Sequence, residues 1–154
     1  MDMNTKGKGM WGKFGLMMVL SFLVMYALMY LMVDRWASVY VNLNQLYMTG
    51  AMVAAMAVIE LVVMAEMYKN ASLRNVVIGT SVLLLVACIV FTRYQTGIGD
   101  TNFLRSMIPH HSGAILMCSE SKITDPETKA LCQSIIKSQS EEIEQMKAIL
   151  ARSQ

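Results

Sequence analysis

Three long hydrophobic runs occupy most of the first 94 residues. They extend from Phe14 to Val33, from Leu46 to Tyr68 and from Val76 to Thr92, with few charged residues inside them. A helix rises ~1.5 Å per residue and the hydrocarbon core of a bilayer is about 30 Å thick, so runs of this length are typical of membrane-spanning helices. The pattern predicts a transmembrane region of three helices over residues 14–94.

Beyond this region the apolar positions recur at the spacing of amphipathic helices. The linker QTGIG ends the third run, and either Asp100 or Thr101 is predicted to cap a helix that continues to about Ile123. Pro109 lies inside this pattern. It either kinks the helix or marks the point where the helix truly starts.

A second helix is predicted after the sequence TDPE. Asp125 can cap it, Pro126 suits its first position, and Glu127 suits the positive end of its dipole. The helical spacing then continues to about Ala151. We therefore expect an all-α protein in which three spans precede a two-helix hairpin at residues 100–154. A hairpin this small buries little core alone, which favours packing on the spans or formation of a homodimeric four-helix bundle.

The basic residues favour one orientation in the membrane. Those expected on the cytoplasmic side are Lys6, Lys8, Lys13, Lys69 and Arg74. The intervening loop holds only Arg35, while Arg93 and Arg105 oppose the trend weakly. By the positive-inside rule, residues 1–13 form a cytoplasmic tail and the hairpin lies outside. The formal net charge of +2 gives no indication of nucleic-acid binding.

Cys118 and Cys132 are expected at similar heights on opposite arms of the hairpin. In an oxidising compartment this placement favours a disulfide, and the alternative is a pair of thiolate ligands for a soft metal. Cys88 lies within the third run and is most simply a small buried side chain.

The strongest cluster of candidate chemistry is the sequence MIPHH. On a helix Met107 shares a face with His110 and His111, and Met117 follows two turns later. Met146 reaches the same region if the hairpin is antiparallel. Imidazole and thioether together suit copper, Cu(I) in particular. Gln139 and Glu142 are predicted to support the site. The simpler alternative is that the histidines are surface or capping residues and the methionines are core.

Glu60 stands out as a carboxylate within the second hydrophobic run. Such a group is costly in a membrane, so we expect it to face the interior, either protonated or paired with Asn42, Asn44 or a neighbouring span. Rows of methionine also follow the spans. Their members are Met25, Met29 and Met32 on the first, and Met48, Met52 and Met56 on the second. Ordinary helix packing explains these rows more simply than a route for soft cations.

The stretches FLRSMIPHHSGAILMCSES and CQSIIKSQSEEIEQMKAIL resemble the domain of unknown function 305 (DUF305) family. The matching residues are Met107, His110, His111, Met117, Gln139, Glu142, Ile143 and Met146. The upstream part looks like the membrane-anchored branch of that family. The resemblance implies a ferritin-like bundle outside a bacterial cytoplasmic membrane and a link to copper. Larger members form four helices in one chain, whereas this chain supplies only the two-helix half.

These observations lead to one main hypothesis and two alternatives. The main hypothesis is a membrane-anchored protein that binds copper on the periplasmic or extracellular side and has no catalytic activity. The first alternative is a membrane scaffold whose hairpin dimerises or docks a partner. The second is a redox or transport role that uses Glu60 and the methionine rows.

Overall fold

The computed structural model describes residues 3–153, and their side chains from residue 9 onward. The side chains of Lys6 and Lys8, which the orientation argument used, lie outside that range. The described chain is all-α, as predicted, and contains no strand. Its elements are α1 (Met3–Leu28), a short 3-10 helix (Trp36–Ser38), α2 (Leu43–Val63), α3 (Ala71–Tyr94), α4 (Asp100–Glu120) and α5 (Pro126–Arg152).

Three helices are long and apolar enough to cross a membrane, which identifies a membrane protein by length and composition. These are Gly9–Leu28 of α1, together with α2 and α3. Their ends differ from the hydrophobic runs. Residues Met29–Val33 are apolar but leave the helix, and α2 stops at Val63 instead of Tyr68. Hydropathy records how apolar a segment is and contains no signal for where its helix stops.

The chain divides into two compact units. The span unit comprises α1 and Leu46–Thr96, and the head unit comprises Met29–Gln45 and the chain from Gly97. The loop between the first two spans therefore belongs to the same unit as the α4–α5 hairpin. Both segments follow an odd number of candidate spans, so a three-span topology places them on the same side of a membrane.

The core of the span unit is formed by small and aromatic side chains at one end of the helices. Ala57 and Leu61 of α2 are buried with Phe14 of α1 and Tyr68, which follows α2. The Trp11 ring lies 5.8 Å from that of Phe14 and 5.0 Å from that of Tyr68, measured between centroids. This aromatic cluster joins the start of α1 to the loop after α2.

The core of the head unit lies between α4 and α5. Leu104 and Ile108 of α4 are buried against Ile143, Met146 and Leu150 of α5, and Tyr40 from the loop packs onto the same cluster. Tyr40 shows that the loop contributes to this core. The hairpin thus receives part of the additional packing surface that its small size requires.

The predicted helix ends are partly right. Asp125 caps α5 by accepting hydrogen bonds from the backbone N–H and hydroxyl of Thr128, and Pro126 is the first helical residue, as expected. At α4 the cap is Gly99, so Asp100 occupies the first turn and Thr101 is not a cap. Pro109 is the tenth residue of α4, so it lies inside the helix and does not mark its start.

Candidate functional site

The two arms of the hairpin are joined by a disulfide near the bend. Cys118 of α4 and Cys132 of α5 are bonded, with their Cα atoms 5.2 Å apart. Of the two alternatives for these cysteines, the structure contains the disulfide, so neither sulfur serves as a thiolate ligand. Cys88 is a free, buried thiol in α3.

His111 connects the arms at a second point, about two turns farther from the bend. Its Nδ1 lies 2.9 Å from the carbonyl oxygen of Met107, and its Nε2 lies 2.7 Å from Oε2 of Glu142. A carbonyl oxygen only accepts hydrogen bonds, so Nδ1 carries a proton and donates it. Nε2 faces the carboxylate, and which of the two donates in this contact depends on the protonation of the ring. Both ring nitrogens of His111 therefore have partners within the protein.

The two sides of this contact differ in their access to solvent. The side chain of His111 is only 9% exposed, whereas that of Glu142 is 51% exposed. The imidazole is held by the fold. The carboxylate stands at the surface, outside the core between α4 and α5.

Two of the predicted methionines belong to the same region. Met146 is buried in the core between α4 and α5, and Met107 packs against that core. Met107 precedes His111 by one helical turn, and Met146 follows Glu142 by one turn. We call Met107, His111, Glu142 and Met146 the inner donor group.

The other predicted ligands lie on a different face of α4. His110 is exposed, and its ring centroid lies 5.9 Å from that of His111 with the two planes inclined at 64°. Met117 is 56% exposed. The sequence predicted one set of ligands, and the structure divides it between the interior of the hairpin and its surface.

Gln139 is half-buried one turn before Glu142 on α5. Its Oε1 is buried and has no hydrogen-bond partner among the residues that the structure describes. An unpaired buried carbonyl oxygen is costly, which makes Gln139 an unusual residue on this part of α5.

Histidine, cysteine and acidic residues alone do not form a metal site here. Within residues 3–153 no group of three such side chains is placed to hold an ion.

The loop after α1 contacts α4 next to the histidine pair, and the sequence pattern did not predict this contact. The backbone N–H of Asp34 donates to Oγ of Ser112 at 2.8 Å, and Ser112 is almost fully buried. At Gly113 a Cβ atom would lie 3.3 Å from the carbonyl oxygen of Met32. The two consecutive small residues after His111 are the only local signal of this close approach.

A polar network anchors the other end of the same loop. Asn42 is buried and donates to the Tyr40 carbonyl and to Gln45 Oε1, at 2.9 Å in both cases. Ser106 of α4 lies 3.2 Å from both Asn42 Oδ1 and Asn44 Nδ2. These asparagines therefore bind α4 and are not the partners of Glu60.

Glu60 lies in the last turn of α2, not in the middle of a span. Its Oε1 accepts a hydrogen bond from the Tyr68 hydroxyl at 2.5 Å. Of the predicted methionine rows, Met32, Met48 and Met52 are substantially exposed on the described chain.

Comparisons with known proteins agree with this division of the chain. The model of the family described as "Domain of unknown function (DUF305)" matches residues 91–150, which include α4 and most of α5. An uncharacterized protein of Acanthamoeba polyphaga mimivirus is 33% identical over 138 residues, which cover 88% of this chain and 89% of the relative. No solved structure matches.

Proposed function

The chain belongs to the DUF305 family, and from that premise we propose that it is a membrane-anchored metal-binding protein without catalytic activity. The head unit binds Cu(I) through imidazole and thioether groups. The spans hold this unit at the membrane surface.

The observation that carries the proposal is the hydrogen bond from His111 Nδ1 to the Met107 carbonyl. Histidines that bind metals commonly donate their other ring N–H to a backbone carbonyl, which fixes the tautomer and the direction of the free nitrogen. Here that bond presents Nε2 to the gap between α4 and α5. The thioethers of Met107 and Met146 are one turn away on either arm.

Glu142 Oε2 lies opposite Nε2, on the side of the imidazole that would face a bound ion. Because its side chain is half-exposed, it releases His111 at small cost and either binds the ion or remains beside it. Gln139 supplies a buried oxygen in the same region. The residues present thus fit a soft monovalent ion better than Zn²⁺, for which structural sites use four nitrogen, sulfur or carboxylate ligands.

We further propose that the head unit lies on the extracytoplasmic side. The positive-inside rule favours this orientation, and an oxidising compartment would maintain the Cys118–Cys132 disulfide. The family resemblance indicates a bacterial inner membrane, while the similar mimivirus protein is viral. We therefore propose only that the head unit lies on the extracytoplasmic side of its membrane, and we name no host.

The test is a Cu(I) titration of the full-length protein in detergent micelles, against a chromophoric competitor. We expect His111→Gln to weaken binding at the inner donor group by at least tenfold, and Met146→Leu to do so while preserving core volume. Met52→Leu, at an exposed position of α2, is the matched control. A His110→Ala, His111→Ala double variant with wild-type affinity would overturn the proposal.

A scaffold function is the second candidate, because both nitrogens of His111 already have partners within the protein. In that case His111 is a clasp between helices, and the hairpin docks a second copy or another protein. Metal binding predicts that Cu(I) raises the melting temperature of the wild type by more than that of His111→Gln. The scaffold predicts no effect of Cu(I) and a cross-linked dimer or partner that persists without metal.

A further inference from the structure

Met32 is brought against α4 at a position where the helix has no side chain. At Gly113 an added Cβ would meet the Met32 carbonyl oxygen at 3.3 Å and the Met32 Cβ at 3.8 Å. Two residues later the Asp34 N–H is bonded to Ser112. The close approach and the hydrogen bond together fix the root of the Met32 side chain on the surface of α4.

Gly113 lies between His110 and Met117 on the helix. It follows His110 by three residues and precedes Met117 by four, and side chains at these spacings are neighbours with Cβ atoms about 5–6 Å apart. His110 and Met117 themselves point in nearly the same direction but lie about 10.5 Å apart along the axis. The Met32 backbone therefore lies against α4 between the positions of an imidazole and a thioether, His110 and Met117.

All three side chains are accessible to ions in solution. Met32 is 51% exposed and Met117 is 56% exposed, and His110 is also classed among the exposed residues. None of the three belongs to the core cluster between α4 and α5. Core packing thus explains Met146 but not these methionines.

We propose that Met32, His110 and Met117 form a second site for a soft cation, the outer site, on the exposed face of α4. The imidazole of His110 and the thioethers of Met32 and Met117 are its ligands, and this set favours Cu(I). With the outer site, the protein would bind two ions instead of one. The outer site depends on the proposed function only for the identity of the metal. It also makes the loop after α1 part of the metal-binding surface.

The experiment counts Cu(I) ions bound per chain by the full-length protein in micelles, kept reduced with ascorbate. We expect two ions for the wild type and one for Met32→Leu, whose inner donor group remains intact. Gly113→Ala removes no ligand but requires the Met32 backbone to shift by a few tenths of an ångström, so it should weaken the outer site and leave the inner donor group unchanged. Met52→Leu serves as the control, since it removes an exposed methionine far along the sequence from the site.

A second readout follows the ligands directly. In protein labelled with carbon-13 at the methionine methyl groups, the Met32 and Met117 resonances should shift on addition of Cu(I) in the His111→Gln variant. Wild-type stoichiometry and affinity in Met32→Leu would overturn the outer site alone. A wild-type protein that binds no Cu(I) would overturn the proposed function and the outer site together.

Discussion

His111 and Glu142 meet across the hairpin, with Nε2 2.7 Å from Oε2, although they are 31 residues apart in the chain. One partner is buried by the fold and the other reaches solvent. The contact therefore belongs both to the stability of the hairpin and to the proposed metal site. Variants of Glu142 separate these two roles.

Glu142→Gln is expected to lower the stability of the metal-free head unit by about 1 kcal/mol. The amide keeps a hydrogen bond to His111 but loses the charge, and the half-exposed position limits the loss. Hydrogen exchange of the α4 and α5 amides measures this change as a free energy of opening. Glu141→Gln, at the exposed neighbouring position, is the control.

The same variant should not weaken Cu(I) binding as His111→Gln does. In the proposed site an ion would bind Nε2 where Glu142 now makes its contact, so a weaker partner at residue 142 leaves the nitrogen easier to reach. A Glu142→Gln protein that loses stability and also loses tenfold or more in Cu(I) affinity would show that the carboxylate is itself a necessary ligand.

Replacing Cys118 and Cys132 together by serine should lower the free energy of unfolding of the head unit by about 3 kcal/mol. The disulfide closes a loop of 14 residues, and its removal frees the unfolded chain. Thermal unfolding in micelles checks this. Reducing agent should bring the wild type to the level of the double variant and leave that variant unchanged.

Much of the hairpin could be predicted because its signals are local. Asp125 and Pro126 form a start signal that needs no tertiary information, and the cap and first helical residue are found where predicted. The pairing of Cys118 with Cys132 follows from antiparallel geometry once the bend is located. The three candidate spans follow from composition in the same way.

The loop contacts could not be predicted because they are made between distant segments. In the sequence Met32 belongs to the end of a hydrophobic run, yet it lies against Gly113, and the nearby Asp34 N–H is bonded to Ser112. Similarly, hydropathy placed Glu60 within the second hydrophobic run. In the structure α2 ends at Val63, and the chain then turns back so that the Tyr68 hydroxyl donates to Glu60. Hydrophobic periodicity indicates which face of a helix is apolar, but it does not indicate which distant segment packs against that face.

Ser112→Ala should release the loop from α4. It leaves the Asp34 N–H without its acceptor, next to a residue that is only 1% exposed, at a cost of about 1–2 kcal/mol. We expect hydrogen exchange to become faster at the Asp34 amide, while the exchange rates of amides in the centre of α5 change little. Ser119→Ala, at an exposed position of α4, should have neither effect, and equal exchange in both variants would contradict this role for Ser112.

Tyr68 should be among the last of the six tyrosines to ionise. Burial, together with the hydrogen bond to Glu60 and its charge, raises the pKa of Tyr68 from 10.0 to about 12. Because the folded-state pKa exceeds the unfolded one, the stability from this bond is complete below pH 10 and is lost as the pH rises through 12. Ultraviolet titration of tyrosinate should show one late transition that is absent in Tyr68→Phe.

Asp125 should give the hairpin an acid-sensitive contribution of the opposite sign. Hydrogen bonds from the Thr128 side chain and backbone lower the pKa of Asp125 from its ordinary value of 3.8. The folded state thus favours the carboxylate, so the stabilisation is present above 3.8 and disappears as the pH falls through the lower folded-state value. Asp125→Ala should remove this part of the acid dependence of the melting temperature. Thr128→Val, which removes the hydroxyl donor but keeps the backbone N–H, should reduce it by a smaller amount, and an acid profile unchanged in both variants would show that the cap does not couple to the stability of α5.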